Sequence, residues 1–108
     1  MFSGEKIIYA NPASENLSGY SYNEILNMNF WDIIHPDYKD IVKERGFARQ
    51  RGDAVPTRFE VKIVQKNGNE RWIVFSAGLI TYEGKPTVLG TAFDITDRKH
   101  AEEEIRLL

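Results

Sequence analysis

From Arg58 to Ile95 the chain reads RFEVKIVQKNGNERWIVFSAGLITYEGKPTVLGTAFDI, and in its opening the apolar Phe59, Val61 and Ile63 alternate with Arg58, Glu60 and Lys62. A period of two is that of a strand with one face buried. Lys66-Asn67-Gly68-Asn69 follows as a turn, since Asn-Gly tolerates positive φ, and closes a hairpin onto a long strand from Glu70 to Tyr82. A further turn at Glu83-Gly84-Lys85 leads into a strand from Thr87 to Ile95. An antiparallel meander of three strands is predicted.

Working outward from the meander, the period becomes helical on both sides. Upstream, Pro36 opens a helix in which Tyr38, Ile41, Val42 and Arg45 recur at i, i+3, i+4 and i+7. It is expected to fray by Gly46 and to be over by Gly52. Before it, Ser21-Tyr22-Asn23-Glu24 has the form of a capping box, followed by Ile25, Leu26 and Met28 as the apolar side. Asn11-Pro12 marks another helix start, with Asn11 capping and Pro12 in the first helical position, and Gly19 ends it. Lys6 to Ala10 is rich in strand formers and predicts a strand after the Ser3-Gly4 turn. Downstream, a helix starts at Thr96 or Asp97, with Ala101, Ile105 and Leu108 spaced as in a heptad seam. The ending in Leu107-Leu108 leads us to expect that the natural chain continues. Strand, three helices, meander and exit helix make an α+β domain, its antiparallel sheet carrying helices on one face.

A chain of 108 residues suits one domain with one core. Fourteen basic against sixteen acidic residues give a net charge of -2, which predicts no nucleic-acid partner. Lys43, Arg45, Arg49 and Arg51 read as the wet face of a helix rather than an anion-binding cluster. With no cysteine in the chain, disulfides, iron–sulfur clusters and cysteine nucleophiles are excluded. No apolar run approaches the ~18 residues of a membrane span, so no direct membrane contact and a cytoplasmic location are expected. The full-length protein could still be membrane-anchored. The glycines lack phosphate-loop spacing, and no nucleophile–base pair or metal-ligand set appears. Asp32, His35 and Asp37 read as helix-boundary residues rather than a catalytic cluster, and the chain is expected not to be an enzyme.

Several stretches in this order resemble the PAS family. They are Ile8-Tyr9-Ala10-Asn11-Pro12-Ala13, Leu17-Ser18-Gly19-Tyr20-Ser21, Glu24-Ile25-Leu26, and Ile34-His35-Pro36-Asp37. Lys66-Asn67-Gly68 with Arg71-Trp72, and Gly90-Thr91-Ala92-Phe93-Asp94-Ile95-Thr96-Asp97-Arg98, complete the set. The resemblance implies a five-stranded antiparallel sheet in the order 2-1-5-4-3 with helices enclosing a pocket on one face. Residues 1–97 would be the sensor core and 98–108 the start of a signalling helix. The first strand should precede the Ser3-Gly4 turn, where only Met1-Phe2 stand, so it is expected to be largely missing. Such modules belong to signalling proteins such as sensor histidine kinases, with an output domain following in cis.

Matched to the family's flavin-binding branch, Phe30 stands where a reactive cysteine would be, Ala92 where a glutamine would be and Ile63 where an asparagine would be. That argues against a flavin adduct. Haem needs an axial ligand, and the histidines are His35, expected to cap a helix, and His100, expected to be solvated. No cofactor is predicted; an unidentified small apolar ligand remains open.

Strand alternation with the resemblance places Phe59, Val61, Ile63, Ile73, Phe75, Ala77 and Ala92 inward, with Phe30, Ile34, Ile41 and Val42 closing the cavity from the helices. These residues either fill a core or line a ligand pocket. On the opposite face Trp72, Val74, Leu89 and Phe93 form an exposed apolar stripe, predicted to pack on a helix or a second subunit. A homodimer through this face and the exit helix is expected. Asp94, Thr96 and Asp97 lie where sheet meets exit helix, with Thr96 or Asp97 as helix cap, and are candidates for signal transfer. Ligand sensor and ligand-free dimerisation module both remain open, with a small α+β ligand-pocket enzyme as the outlying class.

Overall fold

The computed structural model describes residues 1–107. The elements in chain order are β1 Phe2–Ser3, β2 Lys6–Ile7, α1 Pro12–Ser18, α2 Tyr22–Leu26, α3 Pro36–Gln50, β3 Arg58–Val64, β4 Glu70–Tyr82, β5 Lys85–Asp94 and α4 Thr96–Leu107. They form one antiparallel sheet of five strands in the order β2-β1-β5-β4-β3, as the resemblance implied. The first strand is present but short: Phe2 pairs with Ile7 and Ser3 with Lys6, and Phe2 alone meets β5, opposite Val88. This brevity also trims the second strand, predicted to reach Ala10. Beyond Ile7 the amides of Ile8 and Tyr9 find only the Met1 carbonyl, because β1 supplies no further partner.

The meander is as the alternation required. β3 pairs with β4 from Arg58↔Ser76 to Val64↔Glu70, and β4 with β5 from Ile73↔Asp94 to Tyr82↔Lys85. Both central residues of the second turn, Glu83 and Gly84, take positive φ, while in the first turn only Gly68 does. The two-residue hairpin turn with paired positive φ thus sits at Glu83-Gly84, not at the Asn-Gly pair. The outer edge of β3 is not left open. Ile34 bridges Ile63, the His35 amide donates to the Lys62 carbonyl at 2.9 Å, and the Val64 amide to Ile33 at 2.8 Å.

Helix ends follow the sequence signals. The Asn11 side chain accepts from the Ser14 amide, Gly19 ends α1 in the left-handed region, and Ser21 and Glu24 make the full capping box. His35 caps α3, its Nδ1 accepting from the Asp37 amide at 3.1 Å.

α3 differs from expectation in two ways. It runs unbroken through Gly46 to Gln50. Gly46 is a contact residue rather than a helix breaker: a Cβ there would lie 2.3 Å from Phe30 Cε1. Its inward row is Tyr38, Val42, Gly46 and Arg49, in which Val42, Gly46 and Arg49 are buried, whereas Ile41, about 100° round the helix from Val42, is 42% exposed. Ile41 therefore does not close the cavity. Arg49 is likewise not on the wet face with Lys43 and Arg51; it is 7% exposed.

Candidate functional site

Between the helical layer and the inner sheet face lies a cavity of about 170 Å³. A second of about 50 Å³ adjoins it, sharing Phe2, Phe30, Ile34, Ile73, Phe75 and Val88 as walls. Phe30 divides them. It stacks on Phe2 at 4.1 Å and meets Trp31 and Phe47 edge-on at 4.9 and 5.5 Å. Two glycines make room for the rings: Gly46 for Phe30, and Gly90 for Phe75, whose Cζ would lie 2.4 Å from an added Cβ.

Most residues named from the alternation meet here. Ile63 and Ala92 line the larger chamber, Val42, Phe59 and Val61 the smaller, and Phe30, Ile34, Ile73 and Phe75 both. Ala77 is buried but lines neither, and Ile41 lies outside. Sequence reasoning missed Met1, Phe2 and Ile7 from the N-terminal hairpin, Leu17, Ile25 and Met28 from α1 and α2, and Val88 and Gly90 from β5. Two-residue strands and helices of seven and five residues are too short to show a period. Val88 was open to the same alternation as Ala92, two positions before Gly90.

The chamber walls are mostly carbon. Ser18 is buried, but its hydroxyl is engaged, donating to the Ser14 carbonyl at 2.7 Å and accepting from the Tyr20 amide. Among the described side chains charge enters from α3, where Arg45 and Arg49 border the smaller chamber. Burial lowers the pKa of Arg49, and the neighbouring Arg45 charge adds to the effect. His35 borders neither chamber; its Nε2 lies 3.6 Å from Glu70 Oε1 at the sheet edge.

At the end of β5 the sheet is locked to α4. The Asp94 carboxylate accepts from the Thr96 amide at 2.9 Å, from the Thr96 hydroxyl at 2.6 Å and from Arg71 Nε at 2.7 Å. Thr96 Oγ1 in turn accepts from the Trp72 amide at 2.9 Å, and the Trp72 carbonyl accepts from Ile95 at 2.8 Å. The capping expectation is corrected: Asp94 takes the first helical amide, because Thr96 has turned its buried hydroxyl to the sheet, and Asp97 stays exposed. Burial opposes ionisation of Asp94, but the Thr96 hydroxyl and amide and Arg71 outweigh it and leave its pKa below the usual range. Glu60 on β3 is bound by Arg98 and by Lys99, the latter at 2.6 Å, and is likewise held below the usual range, chiefly by Lys99.

The outer face is apolar only in part. Trp72 is half-buried, edge-on to Tyr38 at 5.7 Å, with Lys62 and Lys99 ammonium groups 5.2 and 5.0 Å from its ring. Val74 is 5% exposed rather than part of an open stripe. It sits between Glu60 and Phe93 in register, and the first turn of α4 reaches Glu60 beside it. Leu89 and Phe93 are exposed, at 49% and 65%, as is Ile105 on α4. Ala101 is exposed too; Leu108 of the proposed seam lies outside the described residues.

Comparison with known proteins bears on what such a chamber and joint serve. The family model described as PAS domain matches residues 2–97. The chain is 41% identical over 90 residues, 82% of its length, to the methyl sulfide methyltransferase-associated sensor of Methanosarcina acetivorans. It is 28% identical over 96% of its length to the oxygen sensor protein DosP of Escherichia coli. It spans only 9% and 13% of these two relatives. Among solved structures, a sensory box histidine kinase/response regulator from Burkholderia thailandensis superposes with a TM-score of 0.66 at 26% identity, over 92% of this chain and 76% of that one.

Proposed function

The chain belongs to the PAS-domain family, as a sensor domain of signalling proteins, and we propose that it couples a small ligand in the inner cavity to an output domain following α4. The observation that carries this reading is the continuity of β5. Val88, Gly90 and Ala92 wall the larger chamber, and two residues on, Asp94 fastens the strand to the start of α4. A ligand that shifts β5 acts directly on the joint. Asp94 and Thr96, with Arg71 and the Trp72 backbone, transmit the shift; Asp97 is left without a part in it.

The walls favour a compact, largely apolar ligand over flavin or haem. Phe30, Ile63 and Ala92 present hydrocarbon where a flavin needs polar contacts. His35, with Nδ1 committed to the α3 cap, borders neither chamber. An apolar cavity of about 150 Å³ accepts a benzene-sized molecule, which sets the scale.

Exposed Leu89 and Phe93, with Ile105 on α4, favour a homodimer built on the outer face and exit helix. In this reading the chain is itself non-catalytic, and the catalytic domain of a kinase or another signalling enzyme lies elsewhere in the same protein, on the cytoplasmic side. No helix among the described residues is long and apolar enough to cross a membrane.

Native mass spectrometry of freshly purified protein tests both halves at once, since it reports bound small molecules and subunit number. A retained ligand, with slowed or hastened amide exchange in α4 on its removal, is the expected result. A bare chain that no compound stabilises in a broad thermal-shift screen, yet dimerises, would leave the dimerisation module alone. Phe93→Glu is expected to turn a dimer into a monomer; a dimer unchanged by it refutes the outer-face interface.

A further inference from the structure

The buried Phe30 side chain is fixed at its root, its face and its tip. Its backbone amide donates to the Glu5 carbonyl at 2.9 Å, and one face of the ring lies on Phe2, 13° from parallel. The tip reaches the backbone of α3 at Gly46, where an added Cβ would stand 2.3 and 2.4 Å from Cε1 and Cζ. The ring therefore spans from the N-terminal hairpin to α3. To swing aside it would have to give up the stack on Phe2 and enter closely packed neighbours, which have no spare room for a ring.

This fixed ring stands between chambers of unequal size, about 170 Å³ and about 50 Å³, and walls both. Gly90 and Ala92 border only the larger, Val42 and Val61 only the smaller. The larger is scaled to a single aromatic ring. A second, fused ring needs the space that Phe30 occupies, and the smaller chamber is too small to supply it alone.

We propose that Phe30 is the size-determining residue of the ligand cavity. It confines the ligand to the single-ring scale of the larger chamber, and its removal joins the two chambers into one cavity that takes a fused two-ring hydrocarbon. This rests on the ligand-sensor reading and assigns the residue that sets its selectivity.

The test is titration of the isotope-labelled 108-residue chain with benzene and with naphthalene, followed by amide chemical shifts. Wild type is expected to bind benzene, with shifts at Val88, Gly90 and Ala92, and to bind naphthalene at least about tenfold more weakly, as for an overpacked site. In Phe30→Ala the preference is expected to reverse by at least about tenfold, because the added ring is now buried. Naphthalene should then shift Val42 and Val61 as well. Phe30→Leu, which keeps part of the bulk, is expected to narrow the preference, and serves if the alanine variant fails to fold. A preference that neither variant alters overturns the assignment. Phe47→Leu loosens the same aromatic cluster but borders neither chamber, and should leave the preference unchanged. A reversal there too assigns the effect to general loosening and overturns the proposal. Equal binding of both probes by wild type overturns the size limit but keeps a ligand-binding cavity. Binding of neither overturns both.

Discussion

Replacing Thr96 with valine removes one oxygen and keeps the shape of the side chain, so the joint between β5 and α4 can be weakened without opening a cavity. Two contacts go. The Trp72 amide loses its acceptor at 2.9 Å in a part-buried setting, and Asp94 loses its shortest donor, the Thr96 hydroxyl at 2.6 Å. An unmet buried amide costs about 1–3 kcal/mol, and a hydrogen bond to a charged group about 1.5–3 kcal/mol. The second figure must be discounted, since Asp94 is open to water and keeps Arg71 and the Thr96 amide. A net loss of about 2 kcal/mol follows, which for a domain of this size lowers Tm by roughly 10 °C. Thr96→Ser, which keeps the oxygen, should lose less than half as much.

The pH dependence carries a sign. Asp94 has a lowered pKa in the folded protein, so its stabilisation is full above the ordinary carboxylate value and is lost as pH falls through the lowered one. Valine removes one cause of that lowering, so the gap in Tm between wild type and Thr96→Val should narrow in acid. Circular dichroism melts from neutral pH downward, with amide exchange read across residues 97–104, supply the measurement. A valine variant that melts with wild type at neutral pH, or a gap that widens in acid, refutes the reasoning.

Gly46→Ala gains about 1 kcal/mol of helix propensity but drives a methyl to 2.3 Å from a Phe30 ring already stacked on Phe2, an overpacking cost of about 1–3 kcal/mol. Net destabilisation is expected in urea unfolding, reversing to stabilisation in a Phe30→Leu background; stabilisation in the wild-type background contradicts it. Glu24, held to a pKa of about 2 by Lys66 and the Ser21 amide, should titrate far below ordinary glutamates by carboxyl-carbon NMR. Its contribution persists above the ordinary value and fades as pH falls towards 2. Lys66→Met should move the midpoint up, and a wild-type midpoint in the ordinary range defeats the assignment. Glu60→Gln should free the first turn of α4 from Arg98 and Lys99, hastening exchange there while leaving exchange in β3 unchanged; equal change in both elements argues for general loosening instead.

The meander was legible because Phe59, Val61 and Ile63 repeat at two and Gly84 sits where a tight turn needs it; nothing about these residues depends on distant partners. The caps of α1 and α2 were legible for the same reason, each being a signal within four residues. What escaped depends on contacts remote in sequence. Gly46 looks like a helix breaker until Phe30, sixteen positions earlier, is packed against it. Arg49 reads as solvated because its burial comes from the chain around Pro56 and from the inward row of α3. Val74 belongs by alternation to an open face, and is closed only where α4 returns to Glu60. Around the cavity the β3 and β4 residues were found, while Val88 and Gly90 of β5 and most of the N-terminal and helical ones were not. At the joint Asp94 and Thr96 bond one another, but the capping role fell to Asp94 because Thr96 faces the sheet, and Asp97 stays exposed.

The Trp72 ring touches three separate pieces of the molecule: Tyr38 at the start of α3, Lys62 on the neighbouring strand and Lys99 on α4. The other tryptophan, Trp31, is packed in the aromatic cluster with Lys43 above it at 4.5 Å. Removing it as Trp31→Phe would leave one indole, seated at the place where α4 docks. Departure of Lys99 withdraws a cation from the ring and admits water to it, and both change the colour and yield of its emission. The domain thus carries its own optical gauge of whether its exit helix is docked, one that needs no attached dye and follows the event in real time.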